Sequence, residues 1–279
     1  MKMRLAPPVS STSLLTAHAL ALYVFIYLPV AAMLTMSFND SISPTLPWEG
    51  FTLKWYRQTL SNSQFFDALW NSARLGAVVA VLSSTVALLA ALAFRRRLAG
   101  KVVILNMILV PLLIPGIVIG VGQAILWNVL GLSFSLWGST LIGHLVYTIP
   151  FAFVTIYPRL YKFDPNIEAA AMDLGAGPWT TFWTIVFPRI APGVVASMLF
   201  AFTLSFDEFI RTLFLIGSQN TLPMYLWSVI LTSASPEANA IAVLVVCMSL
   251  AIVLIGLAIA RRGVRHGSHT GGRSTDARP

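Results

Sequence analysis

Apolar runs long enough to cross a bilayer, roughly twenty residues of helix each, alternate with short polar stretches along almost the whole chain. They occupy residues 14–38, 68–94, 102–129, 136–157, 193–216 and 240–260. The pattern predicts an all-α, polytopic membrane protein with six transmembrane helices. The first run is too long for a signal-peptide core and has no convincing small-residue cleavage site, so it reads as a retained span. Arg74, near the start of the second, can reach back to the headgroups. The third is interrupted by Pro111, Pro115 and Gly116, which predicts a proline kink or a hinge, tolerated where a helix lines a cavity or packs on neighbours. The fourth contains His144, read as a hydrogen-bonded packing residue. The fifth alone carries a charged cluster: Asp207, Glu208 and Arg211.

Between the fourth and fifth runs lies the longest stretch outside the termini that lipid would reject, 164–188, DPNIEAAAMDLGAGPWTTFWTIVFP. It predicts two short helices and a turn. Asp164 is a good N-cap and Pro165 suits the first helical position. Gly175 and Gly177 give a helix end its permissive backbone. Pro178 starts a second helix, with Trp179, Phe182, Trp183 and Val186 on one face, and Pro188 is expected to end it. An amphipathic unit of this kind, set between membrane spans, suits docking to another protein or lying on lipid.

Composition sharpens this picture. The 279 residues are 57% hydrophobic and only 10% charged. Lys and Arg number 18 against 10 acidic residues, a net charge of +8. A basic chain can bind nucleic acid, but these charges sit in short loops between apolar runs, where the membrane accounts for them. Lys2, Arg4, Arg95, Arg96, Arg97, Lys101, Arg159, Lys162 and Arg189 fall on one side, with Arg261, Arg262, Arg265, Arg273 and Arg278. The other side has Lys54 and Arg57. The positive side marks the cytoplasm, placing both termini and 164–188 there. The domain reading is a cytoplasmic lead at 1–13, a membrane domain at 14–260 that includes a cytoplasmic loop at 159–192, and a basic, disordered tail at 261–279. Cys247 lies in an apolar run and is expected to pack. No Gly-rich phosphate loop and no metal-ligand spacing is present, so the chain is not expected to be an enzyme.

The 164–188 stretch resembles the cytoplasmic EAA loop of ABC importer permeases, whose pattern is Glu-Ala-Ala, three residues, Gly, nine residues, Ile, one residue, Leu-Pro. Ala170, Ala171, Asp173, Leu174, Gly175, Ile185 and Pro188 fit, and Phe187 replaces Leu. The family's Glu position is held by Ala169; Glu168 lies one residue earlier, about 100° around a helix of 3.6 residues per turn. The similarity extends over 23–261 and is closest to the PotC-like permeases of spermidine/putrescine importers. It is carried by Tyr27-Leu28-Pro29, Ser37-Phe38-Asn39, the run 48–56, Pro150-Phe151, Phe202 to Glu208, Leu222-Pro223 and Ser235 to Ala240.

This resemblance implies the type I ABC importer permease fold, in an inner membrane. It implies an ATPase dimer that carries the ATP and Mg, no cofactor on this chain, a second homologous permease, an extracytoplasmic solute-binding protein and surrounding lipid. It assigns ATPase coupling to Glu168, Ala169, Ala170, Asp173, Gly175, Trp179, Phe182, Ile185 and Pro188. The implied solute is a polyamine moved by alternating access; an organic anion, phosphonate or ferric ion remains an alternative, as does a self-sufficient secondary carrier. Asp207 and Glu208 match an acidic pair of the polyamine permeases. Arg211, four and three residues later, could instead tie them up in an intrahelical ion pair or itself meet an anion. Trp127, Tyr147, Phe206 and Tyr225 are further candidates for a cation pathway. Asn128, Gln219 and Asn220 lie near the outer ends of spans.

Overall fold

The computed structural model describes residues 11–43, 47–95, 99–232 and 235–267. They form α1 (Ser11–Met36), α2 (Lys54–Ser61), α3 (Ser63–Ala93), α4 (Lys101–Leu113), α5 (Gly116–Val129), α6 (Leu141–Tyr161), α7 (Pro165–Asp173), α8 (Pro178–Thr181), α9 (Phe187–Phe206), α10 (Ile210–Leu215), α11 (Leu222–Thr232) and α12 (Glu237–Gly267). Among the described residues, five helical stretches are long and apolar enough to cross a membrane, or six if the bent pair α4–α5 counts as one span. The lead at 1–10 and the tail at 268–279 lie outside the described residues.

The chain divides into two compact units. The first takes residues up to Asn62 together with 228–246. In it the segment after α1 is pinned to α2: the Trp55 indole N–H donates to the Asn39 carbonyl at 2.9 Å, Lys54 pairs with Asp40, and Phe38 stacks on Phe51 at 5.1 Å. Gln58 donates to the buried Glu237 carboxylate at 3.2 Å. The side chains of α1 are exposed along nearly its whole length.

The second unit takes 63–227 and the chain from Cys247 onward. Its core is the mutual packing of α3, α6 and α9. Small side chains let these helices approach. Ala87 and Ala91 of α3 meet Ala152, Phe153, Ile156 and Leu160 of α6 and Ile190 of α9, with Phe94 capping the cluster. Hydroxyls bind the same helices where lipid offers no water: Ser84 and Ser197 share a hydrogen bond at 2.8 Å, and Ser83 and Thr148 another at 2.5 Å. Cys247, expected to pack, is exposed.

Four expectations are corrected by the structure. The third run is not one kinked helix. Ile114, restricted by the following proline, is extended at φ −87°, ψ 130°, and α5 leaves α4 at 105°. Pro188 does not end a helix. Five residues, Phe182–Val186, form a π-helical turn joining α8 to α9, so the helix runs unbroken from Pro178 to Phe206. The wider turn, in which the Phe187 N–H reaches the Phe182 carbonyl, shifts the register just before a residue that has no N–H to give. The fifth run ends early: α9 stops at Phe206 and α10 starts at Ile210, leaving Asp207, Glu208 and Phe209 between helices. Finally, α12 continues as helix to Gly267, past the limit expected at 260, since Arg261, Arg262 and Arg265 are good helix formers.

The Ser84–Ser197 bond gives a test of how the core is held. A double-mutant cycle with Ser84→Ala and Ser197→Ala, read by unfolding in detergent, is expected to show a coupling of about 0.6 kcal/mol, the usual scale for such pairs in membranes.

Candidate functional site

Two places in the second unit collect the chemistry. The first is the 164–188 segment. The Asp164 carboxylate accepts from the Asn166 N–H at 2.9 Å and starts α7. Gly175, at φ 91°, closes it: the Gly175 and Ala176 N–H groups return to the Met172 and Ala171 carbonyls at 2.9 and 3.0 Å. Glu168 points inward to Arg95 at the end of α3, oxygen to nitrogen 2.5 Å, and both are about four-fifths buried. Arg95 and Arg189 both lie over the Phe163 ring, each at 5.6 Å. Arg95, Phe163 and Glu168 border a groove of about 820 Å³, whose wall also includes Lys101, Met172 and Phe182.

Facing outward are Ala169, Ala170, Asp173 and Gly175, with Pro188 further along. Leu174 is 90% exposed and Trp179 74%. Trp183, also exposed, packs edge-on against Trp179 at 5.6 Å. Phe182 and Ile185 are half-buried, and Phe182 packs on the α3–α6–α9 core. The segment therefore splits into an anchored face and an exposed apolar one. Exposed indole and leucine side chains are apolar surface of the kind that a partner's groove covers.

The second place is the break between α9 and α10. Glu208 turns toward α10 rather than sitting on a helix with Arg211. Its Oε1 accepts the Arg211 backbone N–H at 3.0 Å, and its Oε2 pairs with the guanidinium at 2.6 Å. Both side chains are more than nine-tenths buried. The guanidinium carbon also stands 3.8 Å from the centre of the Tyr147 ring on α6. Space for it comes from α5. A Cβ at Gly116 would lie 3.1 Å from an Arg211 nitrogen, and one at Gly120 would lie 3.0 Å from Phe214. The bend at Pro115 thus swings two glycines against α10. Asp207 is the exposed member of the cluster; its Oδ1 accepts from the Ser249 hydroxyl on α12 at 3.1 Å.

The structure brings Asp207, Glu208, Arg211 and Tyr147 into one neighbourhood. It does not bring the other pathway candidates there. Phe206 is buried and stacked on Phe202 at 5.7 Å. Tyr225 is buried edge-on against Phe65 at 6.1 Å. The Trp127 indole reaches the Ser133 carbonyl at 3.3 Å at the far end of α5. Gln219 and Asn220 line a separate polar pocket of about 400 Å³ with Asp67, Asn71 and Arg74. Sequence reasoning took Gly116 only as a break in the third run and Arg95 only as a loop charge, and it missed Gly120 and Ser249. Only the glycines left a signal, a GxxxG spacing beside a proline. Among the described residues no His, Cys, Asp and Glu side chains gather as a metal site.

A model of the family described as "binding-protein-dependent transport system inner membrane component" matches residues 83–265. The chain belongs to this family. Its relatives include the spermidine/putrescine transport system permease protein PotC of Escherichia coli K12, 34% identical over 86% of this chain and 91% of that one. They also include the putrescine transport system permease protein PotI of the same strain, 31% identical over 80% of this chain and 82% of that one. Among solved structures, the fold is shared with a chain of a bacterial alginate ABC transporter in complex with an alginate pentasaccharide-bound periplasmic protein. The TM-score is 0.71 at 14% identity, covering 90% of this chain and 93% of that one. As a permease subunit the chain is a transport component and not itself the ATPase.

The buried pair in this permease should be intolerant of one-sided change. Arg211→Met leaves Glu208 as an uncompensated buried carboxylate and is expected to cost about 3–5 kcal/mol, while Glu208→Gln with Arg211→Met recovers most of that. Thermal unfolding of the purified permease in detergent, comparing the single and double variants, measures the difference.

Proposed function

We propose that this permease carries a polyamine across the inner membrane by alternating access, driven by ATP hydrolysis on a partner ATPase dimer. The observation that carries the reading is the charge balance at the break. Arg211 neutralises Glu208 and is itself held by Tyr147, which leaves Asp207 as the carboxylate open to a solute. A single carboxylate within a span suits a passing ammonium group: attractive enough to admit it, weak enough to release it. The relatives named for spermidine and putrescine support the same solute class. An anion would need Arg211, whose charge is already matched by a carboxylate at 2.6 Å.

In this reading the exposed face of 164–188, with Trp179 and Leu174 at its tip, docks in a groove of the ATPase, which binds ATP and Mg. Glu168 does not reach the partner; it fastens the segment to Arg95 of its own chain. Ala169, Ala170, Asp173 and Gly175 present the backbone surface that docks. A second homologous permease completes the pathway, and a solute-binding protein delivers the polyamine from the opposite side. The excess of positive charge in the loops on that side supports a cytoplasmic position for 164–188 and both termini.

The test is ATPase activity of the reconstituted complex with its binding protein, titrated with spermidine, putrescine and candidate anions. Polyamines are expected to stimulate it, and Asp207→Asn is expected to raise the polyamine KM about tenfold, the scale of one lost charge-assisted contact. Stimulation by an anion and by no polyamine would overturn the solute.

A further inference from the structure

His144 is 1% exposed, and both its ring nitrogens are engaged. Nδ1 lies 2.7 Å from the Ser205 hydroxyl, at the end of α9, and Nε2 lies 2.9 Å from the Thr212 hydroxyl, in α10. The ring, carried by α6, therefore bridges the two helices on either side of the acidic break. Proton directions follow from the neighbours. The Thr212 hydroxyl donates its one hydrogen to the Glu208 carbonyl at 2.7 Å, so toward His144 it can only accept. Nε2 must then carry the ring proton, and Nδ1 accepts from Ser205. The result is a directed chain: Ser205 O–H to Nδ1, Nε2–H to Thr212, and Thr212 O–H to the backbone of Glu208.

The other end of His144 is fixed as well. Its backbone carbonyl accepts from the Thr148 hydroxyl at 2.8 Å, and Thr148 meets Ser83 of α3 at 2.5 Å. The break is held at its side chains: the Glu208 carboxylate meets Arg211, and the Asp207 carboxylate accepts from Ser249. Its backbone keeps part of the helical ladder, with the Asp207 N–H on the Thr203 carbonyl at 3.1 Å and the Glu208 N–H on the nearer Ser205 carbonyl at 3.4 Å, and Asp207 is exposed. A tether running from the core of three helices to the carbonyl of Glu208 adds a backbone restraint that those side-chain contacts do not supply.

We infer that His144 is a positioning residue for the Asp207–Glu208 segment, holding Asp207 in register through Thr212 and Ser205. The consequence for solute rests on the polyamine reading above; the positioning does not. A plain packing role would affect stability. A positioning role changes where Asp207 is found.

The experiment reads that position directly. Cys247 is replaced by Ser and Asp207 by Cys in the reconstituted complex, and the rate of reaction with a small charged thiol reagent is measured. His144→Ala is expected to change that rate about fivefold, as for loss of one hydrogen bond. Thr212→Val, which leaves the histidine in place, is expected to change it in the same direction, and the double variant by no more than either. Thr212→Val also serves if His144→Ala fails to fold. Labelling rates unchanged in both variants would overturn the inference. With Asp207 native, His144→Ala is expected to raise the polyamine KM more than it lowers kcat. If Asp207→Asn leaves KM untouched while His144→Ala still alters labelling, the polyamine reading fails and the positioning stands.

Discussion

A carboxylate drawn into a membrane span must be matched, and in this permease the match between Glu208 and Arg211 shapes the structure around it. The pair is too short and too well buried to be a surface decoration. Glu208 gives one oxygen to the guanidinium and the other to the start of α10, so the same side chain balances a charge and caps a helix. The guanidinium needs room, which Gly116 supplies, and a face to rest on, which Tyr147 supplies. Three elements, α5, α6 and α10, are thereby committed to one arrangement. The break after α9 and the 105° turn at Pro115 are two sides of it: the turn brings α5 to α10, and the break gives Glu208 the freedom to turn back.

The neutral pair also determines what is left over. With both charges cancelled inside the protein, Asp207 is left as the exposed carboxylate of the break, restrained by Ser249. In the proposed reading, binding and structure are divided between two adjacent acidic residues that look alike in the chain. Putting both in the pathway would raise affinity for a multiply charged solute and slow its release. Putting neither there would leave nothing to distinguish an amine from a sugar.

Much of this was legible from the residues. Apolar length alone marks where the chain crosses lipid, because a helix needs about 20 such residues there and little else satisfies its backbone. The Asp164 cap and the Gly175 turn were visible as local chemistry. The breaks were harder. Pro115 announces an irregularity, but the size of the bend depends on a docking partner, α10, almost a hundred residues away. The break at 207–209 has no glycine or proline, and the spacing of Glu208 and Arg211 is what a continuous helix would also show. Pro188 pointed to a helix end because a proline usually costs a hydrogen bond; a π-helical turn removed the conflict. His144 could be read as hydrogen-bonded, yet its partners at 205 and 212 become neighbours only after the chain has folded back.

The π-helical turn has a mechanical meaning. Because it carries the helix past Pro188, Trp179 and Ser205 stand on one continuous helical stretch of 29 residues. At 1.5 Å per residue such a stretch is about 43 Å long, and a tilt of about 5° about one end sweeps the other through about 4 Å. That is wider than a hydrogen bond and close to the diameter of an ammonium group. If the exposed face docks on an ATPase as proposed, a push on the indole at one end would make or release a contact at the other. Length does the amplifying, and the stretch ends at the segment that holds Asp207.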